Sequence, residues 1–251
     1  MRTALVTGAS SGVGRATVAA LVRDGFRVLG VARREQPLAD LARETGAEVF
    51  ASTLATPEGC ARVVDEAVRR LGGVDVLVSN AGVDTNRERP IWEQDPAVWR
   101  ETLALNLDAA FELCRGLSRH MVDRRWGRIV IVSSTAGELG APASSAYCAS
   151  KHAVLGLMRA VAADVAPYGV TCNAVTPGWV RGTEMSDRTM ALEAERRGVS
   201  PEEVWAEIER SQVAGRVVTP EEVAATIAFL AGESASGING EAVRIALGMV
   251  W

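Results

Sequence analysis

Thr3-Ala4-Leu5-Val6-Thr7-Gly8-Ala9-Ser10-Ser11-Gly12-Val13-Gly14 runs from a short apolar segment straight into a glycine-rich turn, and an amphipathic stretch follows. Glycine at such a turn leaves the backbone bare, so it can approach a ligand closely. The first amides of the following helix then offer hydrogen-bond donors and the positive end of the helix dipole. A strand, a glycine turn and a helix in that order is how a pyrophosphate is held at the edge of a parallel sheet. The spacing is G-x-x-x-G-x-G rather than G-x-G-x-x-G. Gly8, Ser10, Ser11, Gly12, Val13 and Gly14 are the candidate contacts. A phosphate loop of the G-x-x-x-x-G-K-[ST] type is excluded, because no Lys-Ser/Thr follows the glycines. Gly8-Ala-Ser10-Ser-Gly12 also fits the G-x-S-x-G elbow of a serine hydrolase, with Ser10 as nucleophile and His120 or His152 as base. Little chain precedes this turn to build an oxyanion loop, and the elbow leaves Gly14 unexplained.

Outward from the turn, short β-branched runs alternate with longer amphipathic ones. Strands are expected at Thr3–Thr7, Arg27–Ala32, Glu48–Thr53, Val74–Ser79, Arg128–Ser133, Val170–Val175 and Glu241–Ile245. Helices are expected at Gly14–Asp24, Leu38–Glu44, Pro57–Leu71, Pro96–Arg124, Ala146–Ala166 and Pro220–Ala231. Most strands are continuously apolar, the mark of burial on both faces, so the fold class is α/β with a doubly wound parallel sheet. With no linker or low-complexity tract, residues 1–251 read as one domain. A polar interval at Gly182–Arg216, with a helix start at Ser200-Pro201-Glu202-Glu203, is a helical excursion from the sheet. It either covers a site or is a solvated insertion.

Composition narrows the classes. The 251 residues are 48% hydrophobic and 23% charged with a net charge of -4, which fits a globular chain and argues against nucleic-acid binding. No run approaches the roughly 20 apolar residues of a membrane span, and the chain start lacks a secretory signal pattern. The four cysteines (Cys60, Cys114, Cys148, Cys172) lie far apart without a C-x-x-C pair, and only two histidines exist. Reduced thiols in a cytoplasmic protein and no metal site are expected.

At the expected end of the second strand, about 20 residues beyond the glycines, the chain reads Ala32-Arg33-Arg34-Glu35. An acid there would accept from a ribose 2′-hydroxyl. Arginine instead offers a planar fork of donors to a 2′-phosphate, so Arg33 and Arg34 favour NADPH/NADP+ over NADH. Further along, Tyr147 and Lys151 stand four apart on one helix face, and Ser133-Ser134 closes a strand. An ammonium beside a phenol stabilises the phenolate and lowers its pKa, as a general acid/base requires. A serine hydroxyl could hold a carbonyl oxygen while the tyrosine protonates it.

Together these residues resemble the short-chain dehydrogenases/reductases, across essentially the full chain. Thr7-Gly8-x-x-x-Gly12-x-Gly14, Asn80-Ala81-Gly82, Asn106, Ser134, Tyr147-x-x-x-Lys151 and Pro177-Gly178 carry the resemblance. Ser134 precedes Tyr147 by the usual 13 residues (147 minus 134). The resemblance implies that Tyr147 is the proton donor and acceptor and that Ser134 orients the carbonyl. Lys151 would lower the tyrosine pKa and hold the nicotinamide ribose, while Asn106 anchors a water of the proton relay. Asn80, Ala81 and Gly82 would stabilise the sheet centre and line the cofactor cleft. Pro177, Gly178 and Val180 would form the nicotinamide-side loop. It further implies a homo-oligomer, dimer or tetramer, acting on a small carbonyl or alcohol.

Three positions depart from the family pattern. Thr53, followed by Leu54, stands where an Asp often meets adenine. Gly182 occupies the usual place of a carboxamide-binding threonine, with Thr183 next. Ser11 replaces a basic residue that many NADP(H) members carry inside the turn.

Ketone reduction with NADPH, as in polyketide or 3-oxoacyl ketoreductases, is the leading expectation. An NAD-dependent hydroxy-acid or polyol dehydrogenase is the alternative within the family. The Ser10 hydrolase and a non-catalytic dinucleotide-binding regulator come from other classes, and a regulator has no need to keep Ser134, Tyr147 and Lys151 together. Substrate-lining segments are expected at Ser134–Pro142, Trp179–Met185 and Met190–Trp205. Trp92, Trp99, Trp179 and Trp205 are expected in packing, and Trp251 as a pocket wall or an interface-buried end.

Overall fold

The computed structural model describes residues 1–85 and 89–248. Seven strands, β1 (Thr3–Thr7), β2 (Arg27–Ala32), β3 (Glu48–Ala51), β4 (Val76–Ser79), β5 (Gly127–Val132), β6 (Val170–Pro177) and β7 (Ala242–Ile245), form one sheet. Its order is β3-β2-β1-β4-β5-β6-β7, and every pairing is parallel. The continuous apolar strands have a simple cause: alternate residues feed two cores. Leu5, Leu77, Ile129 and Ile131 face one layer; Ala4, Val6, Val76, Val78 and Val130 face the other.

Helices α3 (Pro57–Leu71), α5 (Ala109–Arg124) and α6 (Ser145–Val165) cover the first face through Val63, Leu113, Leu117, Val154 and Met158. Helices α1 (Gly12–Arg23), α2 (Glu35–Thr45) and α9 (Pro220–Ala231) cover the second through Val18, Leu21, Leu38, Leu41, Val223 and Ile227. The chain walks outward from β1 to β3, then returns to lay β4 on the other side of β1. The crevice at the strand C-termini between β1 and β4 is the switch point where such sheets bind ligands.

Two expectations need correction. The helix expected across Pro96–Arg124 is helical throughout but not uniformly α: α4 (Pro96–Leu103) and α5 are joined by a π-turn at Ala104–Asp108. A single i→i+5 turn carries no residue signature of its own, so pattern alone cannot reveal it. Trp92 and Trp99, expected in packing, are 80% and 39% exposed: Trp92 lies in a short 3-10 turn at Ile91–Glu93 that buries none of its residues, and α4, which carries Trp99, buries only Val98 and Thr102.

The excursion forms α7 (Glu184–Arg197) and α8 (Pro201–Ser211). The expected start at Ser200 is a full capping box with Glu203. The two helices close on their own small core of Met190, Ala194, Val204, Trp205 and Val217, where Trp179 meets Trp205 edge to face at 6.4 Å. A parallel bridge between Val180 and Val218 pins its neck, with Arg181 N–H donating to Val218 O (3.0 Å) and Val218 N–H to Trp179 O (3.0 Å). Among the described residues no helix is long and apolar enough to cross a membrane. Trp251 lies outside the described residues.

Candidate active site

The glycine turn is shaped by contacts that exclude side chains. Gly8 and Gly12 have φ of +67° and +52°, and a Cβ on Gly14 would lie 2.2 Å from Gly8 O. Asn80 clamps the turn from β4, donating through Nδ2 to Thr7 O (2.9 Å), while Thr7 Oγ1 accepts from Asn80 N and Ala81 N at 3.0 Å each. Thr7, the buried first residue of the glycine motif, is therefore the pin that holds β1 to the Asn80-Ala81-Gly82 segment. Ser11 is the N-cap of α1, yet its side chain does not cap the helix. The first-turn amides of α1 are thus presented to an anion rather than to a side chain of the turn.

Arg34 reaches back over this turn. Its guanidinium donates to Ser10 Oγ (3.2 Å) and Ser11 Oγ (3.4 Å). The basic charge missing from the turn at Ser11 is supplied in space by Arg34. Arg33, also exposed, lines a cavity of about 260 Å³ with Val83, Thr85, Glu101, Leu105 and Arg188. A bare turn, an uncapped helix start and two guanidiniums form a donor set that fits a phosphorylated dinucleotide.

Other expected contacts fall at the rim or behind it. Thr53 is half-buried, its Oγ1 accepting from Ala55 N (3.2 Å). The Leu54 side chain is buried in the core, and its carbonyl accepts from the Cys60 thiol (3.4 Å). The Val180 side chain is likewise buried, so only the backbone of these two can face a ligand. Pro177 ends β6, and Gly178 N–H donates to Ile245 O (3.0 Å). Thr183 caps α7 and packs its methyl against Gly12, where a Cβ would stand 3.0 Å away. The excursion therefore covers the cleft and is not a free insertion. Of the segments expected to line substrate, Met190, Val204 and Trp205 are spent on the excursion's own core.

Ser134, Tyr147, Lys151 and Asn106 converge at the C-terminal ends of β4 and β5. Tyr147 and Lys151 share one face of α6, with Nζ 5.6 Å from the phenol ring centre, and the Ser134 hydroxyl is near enough to the phenol to favour its ionised form. Ser133, the other hydroxyl of the pair, is tied away by donating to Lys151 O (2.9 Å). Gly137 lets that loop sit on α6; a Cβ there would lie 2.6 Å from Lys151 O.

Lys151 is 4% exposed and donates to Val132 O (2.9 Å). Burial pushes its ammonium down to about 8, against a smaller opposing pull from Asp84. The phenol does not show the lowered pKa expected of it. Burial raises Tyr147 well above the ordinary tyrosine value, and the Ser134 hydroxyl recovers only part. Desolvation outweighs the lowering effect of Ser134, and the nearby Asp84 carboxylate adds to the rise.

Asn106 sits in the π-turn, which aims its amide inward. Oδ1 accepts from Val83 N (2.7 Å), and Nδ2 donates to Val83 O (2.9 Å) and to Ser150 Oγ (3.0 Å). It stitches the loop after β4 to the helix that carries Tyr147. Gly82 lies between: a Cβ there would be 3.2 Å from Asn106 Oδ1 and 3.4 Å from Lys151 Nζ. Val83, Ser150 and Asp84 were missed by sequence reading; adjacency to Asn80-Ala81-Gly82 and Lys151 was the only signal available.

The hydrolase geometry is not assembled. Ser10 accepts from Arg34, His152 Nδ1 pairs with Cys148 O (2.9 Å), and His120 lies beside Gly73 at the opposite end of the sheet.

Residues 2–194 match a family model described as short chain dehydrogenase. The chain is 34% identical to the 3-oxoacyl-[acyl-carrier-protein] reductase of Vibrio cholerae, over 99% of this chain and 97% of that protein. It is 32% identical to the D-beta-hydroxybutyrate dehydrogenase of Cupriavidus necator, over 95% and 94%. A solved structure of a single-residue variant of actinorhodin polyketide ketoreductase with NADPH superposes with a TM-score of 0.91 at 34% identity, covering 99% and 98% of the two chains.

Proposed function

Because the chain belongs to the short-chain dehydrogenase family, we propose that it reduces a ketone to a secondary alcohol with NADPH, reversibly, residues 1–251 acting as one cofactor-binding and catalytic unit. The observation that carries this reading is the convergence of Ser134, Tyr147 and Lys151 beside the glycine turn at the switch point. The nicotinamide, when bound, supplies the hydride to the carbonyl carbon. Ser134 Oγ donates to the carbonyl oxygen, and Tyr147 Oη gives up its proton to that oxygen as it gains charge. A phenol kept protonated by its surroundings is in the right state to act as this acid. Lys151 stabilises the phenolate left behind. Asn106 keeps α6 and the loop after β4 in register and would anchor a water of the proton relay.

Arg34 over Ser10 and Ser11, with Arg33 beside it, supports NADP(H). Gly8, Gly12, Val13 and Gly14 would receive the pyrophosphate. Thr53, Leu54, Asn80, Ala81 and Gly82 would line the adenosine side, and Pro177, Gly178, Val180 and Thr183 the nicotinamide side. The likeness to a 3-oxoacyl reductase and a polyketide ketoreductase supports a β-ketone on an acyl or polyketide carrier as substrate class. A hydroxy-acid dehydrogenase using NAD is the second reading, supported by the hydroxybutyrate dehydrogenase relative and opposed by the arginines. We place the enzyme in the cytoplasm as a homo-oligomer.

A panel of β-ketoesters, thioesters and hydroxy acids, followed by reduced-nicotinamide absorbance with both cofactors, tests the reading. Turnover is expected with NADPH on the ketones. Tyr147→Phe should abolish turnover and leave NADPH affinity intact; a fully active variant would overturn the proposal.

A further inference from the structure

Arg34 is shared between the glycine turn and the excursion. Besides Ser10 and Ser11, its guanidinium holds the carboxylate of Glu184 at 2.6 Å, in the first turn of α7. That turn lies across the cleft and is tied on both sides. Thr183, next to Glu184, presses on Gly12, and Arg188, one turn on, donates to Thr85 O (2.7 Å) beside the cavity lined by Arg33. The excursion thus sets an anion of its own on the cation poised over the glycine turn.

We infer that Glu184 is a cofactor-selectivity residue: its carboxylate occupies Arg34 in the free protein and must be displaced by the 2′-phosphate of NADP(H), so it tunes affinity for that phosphate and leaves NAD(H) untouched. The inference rests on the proposed reading that Arg34 meets the cofactor's phosphate. Carboxylate and phosphate compete for the same planar fork of donors. A phosphate monoester carries about 1.5 to 2 negative charges at neutral pH, so it prevails over the single charge of Glu184. A cofactor with a 2′-hydroxyl offers no such charge, and Glu184 keeps its partner. Any cost of moving Thr183 off Gly12 is common to both cofactors and cancels in their comparison. The pair is half exposed, at 47% and 62% of the two side chains. An ion pair so solvated holds by a factor of about five at most.

Titration calorimetry of the full-length protein with NADP+, NAD+, 2′,5′-ADP and ADP decides the matter. Glu184→Gln should bind NADP+ and 2′,5′-ADP about two- to fivefold more tightly, with NAD+ and ADP unchanged. In an Arg34→Ala background the same substitution should do nothing. No change for NADP+, equal tightening of NADP+ and NAD+, or an effect that survives Arg34→Ala would each overturn the inference while leaving the reductase reading intact. A wild-type protein that binds neither cofactor would overturn that reading, and this inference with it.

Discussion

Lys151→Met is expected to make the cofactor-free protein more stable at neutral pH while destroying its activity. The ammonium is buried against Val132 O, and burial lowers its pKa from 10.5 to about 8. At about 1.4 kcal/mol per pH unit, this displacement amounts to about 3 kcal/mol set against the folded state wherever lysine is charged. The sign follows from proton counting. The unfolded chain keeps this proton up to 10.5, whereas the folded protein releases it near 8. Between those values the unfolded state binds more protons, so stability rises with pH, and below 8 the full penalty is present.

Methionine fills a similar volume without charge but leaves the Val132 carbonyl without this donor, an offset of about 1 to 2 kcal/mol. The net gain at pH 7 is about 1 to 2 kcal/mol, roughly 2 to 8 °C in Tm for a chain of this size. Calorimetric scans of both proteins without nicotinamide, from pH 6.5 to 10.5, measure it. The advantage of the variant should shrink above pH 8, cross zero before pH 10.5 and then reverse, because neutral lysine still donates to Val132 O and methionine does not. A variant less stable than wild type at pH 7, or an advantage constant with pH, would refute the reasoning.

Two further outcomes follow from the cofactor side of the cleft. Arg33→Ala should weaken NADPH binding far more than NADH binding, because only the former presents a phosphate to that edge; equal losses in a fluorescence titration would remove Arg33 from the selectivity argument. Gly14→Ala drives a methyl to 2.2 Å from the Gly8 carbonyl oxygen, a backbone atom that cannot swing aside. It should therefore abolish dinucleotide binding in the same titration and lower the Tm, whereas normal affinity would show that the turn has slack.

How much was legible in sequence depended on how local each cause is. The glycine turn, the two-faced strands and the Tyr147–Lys151 spacing are set by neighbours within a few residues, and they stand where the pattern put them. Asn106 was found as a motif, but its partners Val83 and Ser150 come from two other segments, and the π-turn that aims it leaves no period to read. Arg34 was named beside Arg33 on chemistry alone. That it lies over Ser11 and shares its charge with Glu184, 150 residues on (184 minus 34), is a matter of tertiary geometry. The lowered phenol pKa was argued from one nearby ammonium, and burial, which no sequence spacing encodes, proved the larger influence. Trp92 and Trp99 are exposed for a related reason: hydrophobic type does not say whether the turn at Ile91–Glu93 packs at all, or which side of α4 meets the core.

The excursion is pinned at its neck by the bridge between Val180 and Val218, and it keeps its apolar residues to itself. A segment so joined can be inherited as a replaceable cassette. Changes inside it alter what approaches Tyr147 without disturbing the seven strands, and the strands can drift without unseating it. Exchanging 181–217 between relatives of this chain should therefore transplant substrate preference at little loss of folding. Arg34 and Glu184 form a charged joint across the seam, and a successful graft would have to match both halves.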